Sequence, residues 1–196
     1  LSLEAWLGII ISLLIIKSGG EILKETISKI LGEGASVELV RDVKKAIVSH
    51  DGVNGAYDLV FNNYGQDKYI ASVHIEVDEG MTAKEIDVLT RHITDDIYRE
   101  FGVFLTAMGI YSNNTHDPDV IKMREKVKKI ALSHEYVNQI HGFYVDDVEK
   151  TIRFDMVISF DAKSRAELYG HVIGDLQKEF PDYQISAGMD ADFNEI

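Results

Sequence analysis

Residues 69–78 read YIASVHIEVD, a stretch in which apolar and polar side chains alternate. Tyr69, Ala71, Val73, Ile75 and Val77 fall on one face of an extended chain, and Ser72, His74, Glu76 and Asp78 on the other. A period of two with one apolar and one polar face is a strand packed on one side only. Upstream, Gly65-Gln66-Asp67 reads as a hairpin turn that joins it to a strand over 56–64. Before that, Asp51-Gly52 is a turn, and Ser36 caps a helix carrying Val40, Val43 and Ile47 at helical spacing. Downstream, Thr82 and Glu85 form a capping box. They open a helix with Ile86, Leu89, Ile93, Ile97 and Phe101 inward, and a third strand follows over 103–111. The order is α-β-β-α-β.

The same order returns after Ser112–Asp119 (SNNTHDPD), a polar linker with one of the two prolines. Val43-Lys44-Lys45 with Ser49-His50 reappears as Val127-Lys128-Lys129 with Ser133-His134, 84 positions on (43 to 127). A second hairpin covers 140–146 and 151–161 around Asp147–Lys150, with Ile152, Phe154, Met156, Ile158 and Phe160 as its buried face. Ser164 and Glu167 make another capping box. The helix it opens buries Ala166, Tyr169, Val172, Leu176 and Phe180, and 183–189 is the closing strand. The fold class is therefore α+β, a tandem of ferredoxin-like αββαβ units. Each unit has a thin core and an open sheet face or edge that needs a partner, either the other copy or a second chain. A homodimer is the natural expectation.

The chain opens on an apolar run, Leu1 to Ile16, broken only by Glu4 and two serines. It falls short of the roughly 20 apolar residues that cross a bilayer, and it lacks the basic start and cleavage site of a signal peptide. It reads as a core helix, an interfacial helix or the last part of a spanning helix. Lys17, Lys24 and Lys29 beyond it fit a cytoplasmic exit and favour the third. The helix would continue through Gly19-Gly20 with Ile22, Leu23, Ile27, Ile30 and Leu31 on one stripe, and stop at Gly32-Glu33-Gly34. The expected organisation is 1–34 as membrane helix end and amphipathic exit, 35–111 as first unit, 112–119 as linker and 120–196 as second unit.

The formal net charge of -13 argues against nucleic acid and against an anionic membrane surface as partners. With no cysteine, disulfides, thiolate metal sites and cysteine nucleophiles are excluded. There is no phosphate-cradling glycine loop, no Gly-x-Ser-x-Gly elbow and no His-Glu-x-x-His helix, so an enzyme is not expected.

Several segments together resemble the cation diffusion facilitator (cation efflux) family. Leu3 to Leu31 resembles the end of its sixth transmembrane helix, and Asp51-Gly52-Val53 with Ala56-Tyr57-Asp58-Leu59 resembles its hairpin start. Tyr64-Gly65 through Asp78 is similar to its middle strand, and Met81-Thr82 through Asp87 to its second helix. The match covers about residues 3 to 111, and the second unit looks like an added duplicate. The resemblance implies the cytoplasmic, dimerising and regulatory part of a proton-coupled exporter of zinc, manganese, iron or a similar divalent cation. The membrane would hold the N-terminal helix, and residues from about 32 onward would lie in the cytoplasm.

The family's regulatory ligands lie at the hairpin start, the middle strand, the second helix and the last strand. Those positions here are Tyr57, His74, Asp87 and the stretch 106–111, which has no His or Asp. His74 and Asp87 are thus the candidate metal ligands of the first unit, for zinc or another divalent cation. In the second unit His141 stands where Tyr57 stands in the first, and Val157 replaces His74. His141, His171 and a terminal aspartate, Asp190 or Asp192, make a second candidate set. Surface or interface roles compete for all of them, with Asp87 able to pair with Arg91. His50 and His134 end equivalent helices and read as structural. A soluble tandem ligand-sensing module and a ligand-free assembly module are the alternative functions.

Overall fold

In a computed structural model of the chain, the described residues are 2–31, 35–63, 65 and 68–190, without the side chains of 25 and 28–31. The Gly32-Glu33-Gly34 stop, Gln66 and Asp67 of the hairpin turn, the side chains of Ile30 and Leu31, and Asp192 lie outside them.

Helix α1 (Leu3–Leu31) is continuous through Gly19-Gly20. Its Leu3–Lys24 stretch is long and apolar enough to cross a membrane, with mean hydropathy 1.7 and 0% of its most apolar window buried. Leu13, Ile16 and Ile22 are 61, 70 and 64% exposed, so α1 is not a core helix of the two units.

The first unit comprises α2 (Val37–Val48), β1 (Val53–Asn63), β2 (Tyr69–Asp78), α3 (Ala83–Phe101) and β3 (Val103–Asn113). The second repeats the order with α4 (Pro118–Ala131), β4 (Val137–Asp146), β5 (Thr151–Ile158), α5 (Arg165–Glu179) and β6 (Gln184–Asp190). Each sheet has the hairpin antiparallel and the last strand parallel beside the central one, in the orders β1-β2-β3 and β4-β5-β6. This is the mixed α+β architecture of tandem ferredoxin-like units.

Local chemistry sets the boundaries. Ser36 Oγ accepts the Leu39 N–H, and the Thr82–Glu85 capping box makes both of its bonds. Gly102, at φ 67, closes α3 in the left-handed region that glycine tolerates. Strand β3 runs on to Asn113, and α4 starts at Pro118 behind the Asp117 cap. Only 114–117 therefore connect the units.

Val40, Val43 and Ile47 of α2 and Leu89, Ile93 and Ile97 of α3 pack on Ala71, Val73, Ile75 and Val77 of β2. Val127, Ala131, Val172 and Leu176 pack likewise on Ile152, Phe154, Met156 and Ile158. Two expectations fail at the end of the second hairpin. Strand β5 stops at Ile158, and Phe160 is 53% exposed, its ring 4.7 Å from the Arg165 guanidinium. Ala166 is exposed as well, and Leu168 packs on the core in its place. Both sheets keep their helices on one face. Around β3 and β4 the two helix-free faces meet, so each covers part of the other.

Candidate metal site

The meeting faces bring polar residues inward. Strand β1 pairs Tyr57 with His74 and then Val60 with Ser72, which leaves one extra residue on β1. That bulge holds Asp58 at φ 53, a left-handed conformation that Asp tolerates better than most residues. It keeps Leu59 in the core at 1% exposure and turns the Asp58 carboxylate toward the second unit. Strand β4 repeats the bulge between His141 and Tyr144, with Gly142 at φ 62.

His141 is the one buried polar residue among the described residues, with its side chain 1% exposed. Its ring lies flat on Tyr57 at 4.8 Å, and its Nε2 is 3.0 Å from Asp58 Oδ1 and 3.8 Å from Asp190 Oδ2. At that distance the angle still fails, and neither His141 nitrogen makes a hydrogen bond within the described structure. The other oxygen of Asp58 lies 2.9 Å from His74 Nδ1, a buried atom that also lacks hydrogen-bond geometry. Tyr111 completes the cluster. Its ring stacks on His74 at 4.7 Å, and the single proton of its hydroxyl lies between two acceptors, Asp58 and Asp155, each 2.9 Å away. Glycines make the room: a Cβ at Gly109 would collide with the His74 ring, and one at Gly142 would come within 2.8 Å of Tyr111.

The electrostatics follow from this packing. Burial pushes the Asp58 carboxyl up, but the neighbouring side chains of His141, Asp190 and Tyr111 together hold it well below the carboxylate range. Burial, then hydrogen bonds to Asp155 and Asp58, push the Tyr111 hydroxyl up. Burial raises Glu76 against the pull of Arg124, His141, Lys128 and Asn113.

Asp58, His141 and Asp190 each offer one ligand atom, and the three atoms lie within 4.8 Å of one another. Ligands about 2.1 Å from a tetrahedral ion stand about 3.4 Å apart, a value between the 3.0 and 3.8 Å that separate His141 Nε2 from the two carboxylates. An unpaired imidazole nitrogen between two carboxylates is a donor set for zinc, manganese or iron. Thiolate ligands are ruled out by composition.

Of the residues the sequence singled out, the structure brings His74 and His141 into this cluster, and Asp190 with them. Asp87 lies elsewhere, bonded to Arg91 Nε at 2.9 Å, and His171 is exposed on α5 near Asp175. The partner of His74 in the repeat needs correcting. Asp155 opposes His141 as His74 opposes Tyr57, so Asp155, not Val157, holds the equivalent place. Asp58, Tyr111 and Asp155 were missed as site residues. The aligned repeats carry a signal for Asp58, because it falls opposite Gly142, a glycine beside the candidate His141. His50 and His134 are structural: His50 joins the Ala46 carbonyl at 2.9 Å to Asp96 at 3.2 Å, and His134 meets Asp175 at 3.4 Å.

The cytoplasmic domain of cation efflux proteins is found at residues 35–108. That span covers α2 through most of β3 and contains Asp58 and His74 of the cluster. The matched domain is one of a transporter family, not of an enzyme family, and it implies dimerisation and a membrane-associated transporter. No curated protein matches the chain.

Proposed function

We propose that this chain is the metal-responsive cytoplasmic part of a divalent-cation efflux carrier, held at the membrane by α1. A carrier of this class moves zinc, manganese, iron or a similar cation outward in exchange for protons. Here the cation acts as a signal, read between the two units by Asp58, His141 and Asp190. Homodimer formation and the cytoplasmic placement of the units belong to the same reading. The observation that carries it is His141, a buried imidazole without a hydrogen bond, set beside two carboxylates. The domain match and the exposed apolar helix support the carrier context.

The test is a cobalt titration of the metal-depleted full chain in detergent, followed by visible absorption, with zinc and manganese as competitors. We expect tight binding that weakens about 100-fold or more in His141→Gln, while Asp87→Asn and His171→Gln bind as wild type. A flat titration of the wild type, or an equal loss in Asp87→Asn, overturns the reading.

A further inference from the structure

We infer that the second unit occupies the place of a partner copy, so that the chain forms within itself the two-fold pair for which the first unit's open face is built. This goes beyond the proposed function and holds whether or not the site takes metal. Hairpin registers fix the equivalent positions. Tyr57 opposes His74 and His141 opposes Asp155, while His74 faces Gly109 and Asp155 faces Gly188. The bulge residues Asp58 and Gly142 correspond, both at positive φ. Two residues beyond the matching glycines, Tyr111 corresponds to Asp190.

In a two-fold interface, residue i touches j of the partner and j touches i. The cluster obeys this rule. Tyr57 and His141 are equivalent to one another, and they stack with their rings 7° from parallel, as residues beside an axis do. Tyr111 packs on Gly142, and the image contact brings Asp190 beside Asp58, with carboxylate oxygens within 4.8 Å of one another. The connection over 114–117 holds the second face beside the first at the millimolar effective concentration typical of short linkers. Where the cluster forms, the partner's place is already filled, so a second chain would have to pair through other surfaces.

The sequence contains no cysteine, so introduced thiols report without background. Full-length Tyr57→Cys/His141→Cys, purified in detergent with chelator present, is treated with a short flexible bismaleimide. The same reagent is applied to a mixture of the two single variants. We expect the double variant to link within one chain at a yield unchanged by tenfold dilution, and the mixture to give no linked dimer. Dimer product from the mixture overturns the inference, and so does an unlinked double variant that keeps the wild-type circular dichroism. Because His141→Cys removes the imidazole, the link reports pairing alone. A failed cobalt titration with an intact link would remove the metal reading and leave this one standing.

Discussion

Asp58→Asn in the metal-free chain removes the charge on which the cluster is organised. Its carboxylate, 19% exposed, faces His74, Tyr111 and His141 at 2.9, 2.9 and 3.0 Å. The three contacts carry unequal weight. Tyr111 keeps Asp155 as acceptor and loses little. His74 is 43% exposed as a whole, so its share is at most about 1 kcal/mol. His141 cannot rehydrate. Losing the carboxylate 3.0 Å from this buried ring costs about 1.5–3 kcal/mol, within the penalty for leaving a buried polar group without its counterpart. The sum is about 2–4 kcal/mol, which at roughly 2–4 °C per kcal/mol lowers the melting temperature by roughly 4–16 °C. The assay is near-ultraviolet circular dichroism with temperature on the full chain in detergent and chelator, because Tyr57 and Tyr111 report on the interface. A shift below about 1 °C would refute the reasoning, since it would mean that the carboxylate does not help to hold the buried ring.

Three further outcomes are expected. Gly109→Ala drives the His74 ring off Tyr111; losing that stack costs about 0.5–1.5 kcal/mol, read as a melting shift of a few degrees, and an unchanged melt would contradict the packing. Tyr111→Phe leaves Asp155 without its hydroxyl donor and should cost about 1–2 kcal/mol in chemical denaturation, with Tyr57→Phe as a milder control. Glu76 titrates above its ordinary 4.5 because burial disfavours its charge. The carboxylate therefore lowers stability at pH above its folded pKa, and protonation relieves the penalty as pH falls. Glu76→Gln should then raise the melting temperature at pH 7, with the gain gone below about pH 4; a gain that persists in acid would show a different cause.

The fold was legible because its signals are local. Alternation in β2, the Thr82–Glu85 box and the recurrence of Lys-Lys before Ser-His each depend on neighbours within a few residues. The repeat then supplied the second unit almost unaided. Phe160 was misread because alternation continues past the residue where the backbone leaves the sheet. The site was half legible. His74 stands out on a polar strand face and His141 at the place of Tyr57 in the repeat, but Asp58 is aimed by a bulge, and a bulge depends on pairing that one strand's sequence does not display. Tyr111 and Asp155 act only because two sheets meet, and the residues of a face say little about which surface will cover it.

The left-handed kink in each hairpin carries an aspartate in one unit and a glycine in the other. Where two identical chains assemble, every substitution is felt twice, and an acid at that kink would confront a duplicate of itself across the axis. Writing both halves into one polypeptide lifts that restriction. One side is free to supply charge while its counterpart gives way to make space, and a lopsided pocket for a single small ion becomes available to an architecture that would otherwise have to be even-handed.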